Sequence, residues 1–453
     1  MRRKTRGGIT AGFRRVGLTQ RGVAFVVASA IAFVVAYVLG FQQLLYVAIA
    51  LAALPLIALV LVRVRRPKLS VTRSFSPHVI EAGSTATVSL LVHNLTGAPT
   101  LRVRWWDEVP WVSSGTVVGE LLGLQPRGAR YSRGNTAALE YELRPPRRGI
   151  FNIGPFVVHL SDAFGFASTT YSVGQAQEVV VTPEVVALPE TSLSVSAGDG
   201  EARIVQRRSA GDADDSITRE YRTGDAMRRV HWRATARHGD LMVRQEEHRS
   251  FPEAGVILDT RGIGYDDLSG DERTGYLDSD SFEWAVSMLA SVAVHLRRYG
   301  FLVKVQESGP PQLGRHPAPG RTRHDEELLT ELAELRLTIT STSALDMSRS
   351  VDKGRGSNGP IVAIVGNPDS QTVEWMMRQR RPGDVAVVFM VQGASGLGSL
   401  DPAVGSRLSK AIPVTTKRLT DAGWIVIPVR SDDDHAAAWE AVEFQSGRSH
   451  VGR

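Results

Sequence analysis

Three arginines, Arg229, Arg233 and Arg237, recur every fourth residue, a spacing that lines side chains along one face of a helix. Guanidinium groups in such a row can grip a phosphate or a partner's carboxylates through paired N–H donors. The row can also be satisfied from within, because Glu220, Asp225, Asp240, Glu246 and Glu247 flank it. His231 has the chemistry of a general base. No Ser or Asp arrangement accompanies it, so a structural histidine is the stronger reading. Trp232 reads as core or interdomain packing rather than a stacking platform. Gly224 and Asp225 make a turn and an N-cap, and a helix is expected to start there.

Several chemistries are missing from the chain. It has no cysteine, which removes disulfides, thiolate nucleophiles and cysteine-ligated zinc. It has no G-x-x-x-x-G-K-S/T loop for nucleotide phosphates, no H-E-x-x-H and no G-x-S-x-G. No cofactor is expected.

The elements that must position these residues fall into three blocks. Residues 1–68 hold eleven Lys or Arg and no acid, leaving 42 basic against 47 acidic residues in the rest. The formal net charge of +6 therefore sits at one end, and nucleic acid is not the expected partner, since a nucleic-acid reader carries its positive face on a folded domain. Residues 1–21 form a basic N-terminus. Within residues 22–62, the stretches 23–41 and 44–62 carry no charge. At ~1.5 Å per helical residue each matches a ~30 Å hydrocarbon core. Two consecutive spans fit a membrane hairpin better than a signal peptide. Basic residues flank both ends, so the positive-inside rule puts the large C-terminal part in the cytoplasm of a multi-pass cell-membrane protein.

Residues 69–190 alternate apolar and polar residues in short runs: Leu101, Val103 and Trp105, then Leu139, Tyr141 and Leu143, then Phe156, Val158 and Leu160. Turn residues separate the runs, and the pattern predicts a β-sandwich. Residues 191–200 read as a linker. From residue 251 to 431 short apolar strands alternate with amphipathic helices, which predicts a doubly wound α/β domain on a parallel sheet. Its longest helix is expected over 281–299, with Asp280 and Glu283 as a capping box. Residues 432–453 form a C-terminal tail with one helix.

Between the two soluble blocks, in residues 200–250, lies Arg219-Glu220-Tyr221-Arg222-Thr223-Gly224-Asp225, followed by Arg228-Arg229-Val230-His231-Trp232-Arg233-Ala234-Thr235-Ala236-Arg237. This resembles the signature of the bacterial domain of unknown function 58 family, an R-E-Y-x-x-G-D turn and then R-x-I-H-W-x-x-(S/T)-A-R. Arg148-Gly149 and Asp162-Ala163-Phe164-Gly165 look like that family's R-G and D-P-F-G blocks, with Ala163 in the proline's place. The resemblance implies an integral membrane protein with a von Willebrand factor type A-like domain and a MoxR-type AAA+ ATPase as partner. Metal-binding type A domains carry D-x-S-x-S after the first strand. Here the segment is Asp259-Thr260-Arg261-Gly262-Ile263. The carboxylate stays, both serine positions are lost, and Arg261 puts a cation where oxygen ligands belong. Asp259 is therefore a degenerate metal-site position and no metal is expected.

The expectation is a membrane-anchored, non-enzymatic adaptor that acts in assembly or maturation of other proteins. The rivals are an enzyme built around His231 and nearby carboxylates, and an anion- or lipid-sensing module using the arginine row.

Overall fold

The computed structural model describes residues 14–64, 66–112, 116–126, 134–191, 218–221, 227, 230, 232–244, 252–271, 276–314, 325–338, 359–381, 383–394 and 402–451. The chain forms two compact units, residues 1–182 and 183–453.

The first unit opens with β1 (Arg14–Leu18), then α1 (Gln20–Leu39) and α2 (Gln42–Val64). Both helices are long and apolar enough to cross a membrane. Thr19 caps α1 by accepting from the Gly22 amide, and Gly40 closes the turn at φ 70°, a left-handed conformation that favours glycine. The buried residues recur at about helical-heptad spacing: Gly22, Ser29 and Ala36 on α1, and Ala48, Pro55, Ala58 and Val62 on α2. Small side chains let two backbones approach, and Ser29 Oγ donates to the Ala48 carbonyl at 2.7 Å.

The strands that follow are β2 (Leu69–Ser76), β3 (Ile80–Glu81), β4 (Ala86–Asn94), β5 (Val103–Glu108), β6 (Thr116–Leu121), β7 (Thr136–Leu143), β8 (Gly149–Ile153), β9 (Phe156–Ser161), β10 (Ala167–Val173) and β11 (Gln177–Thr182). They form sheets ordered β1-β10-β9-β5-β6, β2-β4-β7 and β3-β11-β8. One buried cluster takes Val88, Leu90 and Val92 from β4, Trp105 from β5, Leu143 from β7 and Phe156 and Val158 from β9. Arg73 of β2, Asp107 of β5 and Tyr141 of β7 join two of the sheets. Arg73 Nη2 donates to Asp107 Oδ1 at 2.6 Å, and the Tyr141 hydroxyl donates to Asp107 Oδ2 at 2.6 Å. Burial, and then the Asp107 charge, push the Tyr141 phenol far above its ordinary pKa.

The basic N-terminus was expected to be a flank only. Instead β1 pairs antiparallel with β10, Arg14 opposite Tyr171 and Leu18 opposite Ala167. The flank thereby fills the open edge of β10.

In the second unit, residues 183–190 are not the end of the β-rich block, as the alternation implied. Val186 N donates to Ser291 Oγ at 2.9 Å, and Val185 and Leu188 pack on the second unit's core. Then come β12 (Thr218–Glu220), α3 (Trp232–His238), β13 (Met242–Arg244) and β14 (Glu253–Leu258). The short strands β15 (Ser269–Asp271) and β16 (Tyr276–Asp278) precede α4 (Asp280–Arg298), β17 (Leu302–Glu307), α5 (Asp325–Glu334) and β18 (Ile361–Val365). Last are α6 (Ser370–Gln379), β19 (Ala386–Gln392), α7 (Pro402–Asp421), β20 (Ile425–Arg430) and α8 (His435–Val451).

A parallel sheet runs β17-β14-β18-β19-β20. Val256 and Leu258 of β14 enter one apolar cluster with α4, while Ile257 enters another with α6 and Trp424. Successive strand residues point to opposite faces, so the sheet is covered on both. The cap of α4 differs from the expected box: Ser279 accepts from the Phe282 amide. Asp267 supports that cap, accepting from Ser279 Oγ and from the Ser281 amide at 2.7 Å.

Candidate functional site

In the order of the parallel sheet, β14 and β18 are neighbours whose connections leave in opposite directions, to β17 on one side and β19 on the other. Open α/β sheets form a crevice at the carboxyl ends of such strands. Asp259 and Arg261 follow β14, Ser308 follows β17, and Asp369 and Thr372 follow β18. All five meet there.

Arg261 fills the crevice. Its Nε donates to Asp259 Oδ1 and its Nη2 to Asp259 Oδ2, both at 3.0 Å. Nη2 also donates to Thr372 Oγ1 at 2.6 Å, and Nη1 to Asp369 Oδ2 at 3.2 Å. Ser308 Oγ donates to Asp259 Oδ1 at 2.5 Å. The side chains of Arg261 and Asp259 are 3% and 0% exposed. This is a bidentate guanidinium–carboxylate pair with a second carboxylate on its outer edge. Burial alone would lower the arginine's pKa. The hydrogen bonds and charges of Asp259 and Asp369 outweigh burial and raise it. Burial likewise opposes ionisation of Asp369, but hydrogen bonds from Thr372 and the Arg261 charge hold its carboxyl below the ordinary value. Asp369 doubles as the N-cap of α6, accepting from the Thr372 amide at 2.7 Å. Asp259, the degenerate metal-site position, accepts at the end of β14 from the Arg261 side chain, the Arg261 amide and Ser308 Oγ. Asp369, Thr372 and Ser308 were not singled out from sequence, since nothing local marks residues that only the strand order brings together.

Glycines tighten the crevice. A Cβ on Gly366 would fall 2.1 Å from the Gly264 carbonyl oxygen, and one on Gly264 would sit 3.0 Å from Asp259 Oδ2. At the mouth, Ile263 is 74% exposed and Leu268 is 41% exposed. Among the described residues no group of three or more His, Cys, Asp or Glu is placed to hold a metal. A separate cavity of about 400 Å³ is lined by Gln312 and by Glu326, Glu327, Glu331 and Glu334 of α5.

The signature residues lie elsewhere. Arg219 is on β12, paired with Val243 of β13, and Tyr221 N donates to the Leu241 carbonyl at 2.7 Å. Arg222, Gly224, Asp225, Arg229 and His231 fall outside the described residues, and with them the helix start expected at Asp225 and the first arginine of the row. α3 begins at Trp232. Arg233 and Arg237 are exposed, one turn apart on that helix. Trp232, read from sequence as core or interdomain packing, is 67% exposed. Of the residues beside α3, Val230, Met242 and Val243 are buried.

Residues 217–363 match the family model described as protein of unknown function DUF58. That span takes in the signature, β14 and most of β18, so it includes Asp259, Arg261 and Ser308. No curated protein matches the chain. Among solved structures, the CARDB domain of a Pyrococcus furiosus protein in complex with di-metal ions aligns at 16% identity. It covers 24% of this chain and 90% of that one, with a TM-score of 0.16. A Pseudomonas fluorescens alkylpurine DNA glycosylase bound to DNA aligns at 14% identity over 35% of this chain and 46% of that one, TM-score 0.17. A Paenibacillus cycloisomaltooligosaccharide glucanotransferase aligns at 12% identity over 80% and 53%, TM-score 0.17. At these TM-scores the alignments carry no argument about fold or activity.

Proposed function

We propose that the chain is a membrane-anchored adaptor without catalytic activity, with its bulk in the cytoplasm. In this reading α1 and α2 span the cell membrane as a hairpin. The first unit is a β-sandwich, and the second is a von Willebrand factor type A-like domain that docks protein partners, a MoxR-type AAA+ ATPase among them, in assembly or maturation of other proteins. The observation that carries the adaptor reading is the filled crevice. Where an open α/β sheet would admit a ligand or a cation, Arg261 is already bound by two carboxylates and a hydroxyl. What the mouth offers outward is the exposed pair Ile263 and Leu268, a surface suited to a protein partner rather than to a small polar substrate.

The pairing of β1 with β10 supports the hairpin reading, because it ties the chain before α1 to the unit after α2 on one side. Purification of the full chain from native membranes, with identification of co-eluting proteins, tests the proposal. An AAA+ ATPase is expected with the wild type and depleted with Ile263→Asp. Equal recovery with both, or no ATPase with either, refutes the docking role assigned to this face.

A second reading has its own support. Arg233 and Arg237 are exposed beside the exposed Trp232, an arrangement able to take an anionic headgroup or phosphate.

A further inference from the structure

The loops at one end of the first unit carry apolar side chains that its core does not use. β4 runs from Ala86 to Asn94, and just past its end Leu95 N donates to the Lys68 carbonyl at 2.8 Å, four residues after α2 stops. Strand pairing puts further loops at this hairpin end. Val103 lies opposite Leu121, and Arg104 opposite His159, so the start of β5, the end of β6 and the β9–β10 turn come together there. These loops present Leu95, Leu101, Leu122 and Phe164, exposed by 46%, 58%, 63% and 69%.

The turn holding Phe164 is fixed against α1. Thr19 N donates to the Phe166 carbonyl at 2.9 Å, and the Phe25 and Phe166 rings lie 4.6 Å apart. Asp162 braces the turn, accepting from the Phe164 and Ala167 amides at 2.9 and 2.6 Å. Phe25 is five residues into α1, about 7 Å along its axis. The turn is therefore level with the first exposed apolar residues of the helix, which begin at Val23.

We propose that this end of the β-rich unit is a lipid-contacting surface, with Leu95, Leu101, Leu122 and Phe164 entering the boundary between headgroups and acyl chains around the base of the hairpin. The inference rests on the hairpin reading above. A bilayer is the occupant because the Phe164 turn is fixed against the start of α1 and Leu95 is bonded to the segment just after α2, whose exposed apolar surfaces continue this end of the unit. In addition, Arg21 lies at the start of α1, and Arg63 and Lys68 at and just past the end of α2. Basic residues beside apolar tips suit anionic headgroups. The unit is then seated on the membrane at several points rather than tethered by one linker.

The absence of cysteine makes single-site spin labelling of the full chain direct. Labels are placed by Ala163→Cys next to Phe164, by Val34→Cys in the middle of α1, and by Thr85→Cys at the opposite end of β4 from Leu95. That last site is about 30 Å away at ~3.3 Å per strand residue. In vesicles of phosphatidylcholine and phosphatidylglycerol, collisions with oxygen are compared with collisions with a water-soluble nickel chelate. The oxygen preference is expected to be highest at 34, several-fold above the 85 value at 163, and reduced at 163 when Phe164→Gln is added. A lipid signal at 34 with water-like values at 163 overturns this proposal and leaves the hairpin standing. Water-like values at 34 overturn the hairpin itself. An unchanged 163 signal on Phe164→Gln overturns the anchoring role of that ring.

Discussion

Arg261→Met removes the guanidinium that fills the crevice while keeping an unbranched side chain of similar length. Asp259, 0% exposed, then keeps only the Ser308 hydroxyl at 2.5 Å and the backbone amide of residue 261 at 3.1 Å. Its two contacts to the guanidinium are lost, and the Thr372 hydroxyl loses a donor. Breaking one side of a buried ion pair strands the other charge and costs about 3–5 kcal/mol. A domain's whole stability is only about 5–15 kcal/mol, so the second unit should be severely weakened. Replacing both partners, with Arg261→Met and Asp259→Leu together, should cost much less than the sum, because no charge is left unpaired. The assay is urea unfolding of the full chain in detergent micelles, read by tryptophan fluorescence. Trp284, Trp375, Trp424 and Trp439 are all buried in this unit. If Arg261→Met stays within about 0.5 kcal/mol of wild type, as surface substitutions do, or if the losses simply add, the pair is not the lock described.

Emptying the crevice should also expose its oxygen set. Millimolar Mn²⁺ is expected to raise the melting temperature of Arg261→Ala, through Asp259, Asp369, Ser308 and Thr372, and to leave the wild type unmoved, since a ligand that binds only the folded state stabilises it. Reporter fusions at residue 70 and at the C-terminus should both report cytoplasm, and activity of a periplasm-only reporter at either site would overturn the topology. Arg233→Gln and Arg237→Gln should each change stability by no more than about 0.5 kcal/mol, because both side chains are exposed. Salt-dependent loss of ATPase or vesicle capture would show the row at work, and unchanged capture at two salt concentrations would leave it without a role. His435 stacks on Trp284 at 4.6 Å, and burial lowers its pKa against the opposing Trp284 carbonyl, Glu184 and Asp434. The folded chain thus binds fewer protons than the unfolded one, and stability should fall as pH drops below about 6.5. That loss is expected to be shallower in His435→Phe, and an identical slope would remove His435 as its source.

The parallel sheet was legible because two of its inner strands are uninterrupted apolar runs, residues 361–365 and 386–391, which a sheet covered on both faces requires. α7 was missed. Pro402–Asp421 follows a glycine-rich stretch and holds Pro413 inside it, and a proline in a helical pattern reads as a breaker. β1 was missed for a different reason: Arg14–Leu18 carries two charges before an apolar span, and its strand conformation comes from the edge that β10 supplies 150 residues later. Local propensity holds no trace of such a partner.

The candidate site divides along the same line. Asp259 and Arg261 are two residues apart, so their conflict with a metal-binding pattern could be read directly from the chain. Asp369, Thr372 and Ser308 reach them only through strand order, from 49 to 111 residues away. That difference decides what the arginine can be. With Asp259 alone it would be a short-range pair at a strand end, free to open toward a ligand. With Asp369 and Thr372 on its far side, four of the guanidinium's five N–H donors meet the chain's own oxygens, and opening it would strand Asp259. The pair therefore occupies the crevice, which is why the proposed docking role is assigned to the exposed residues near it, Ile263 and Leu268.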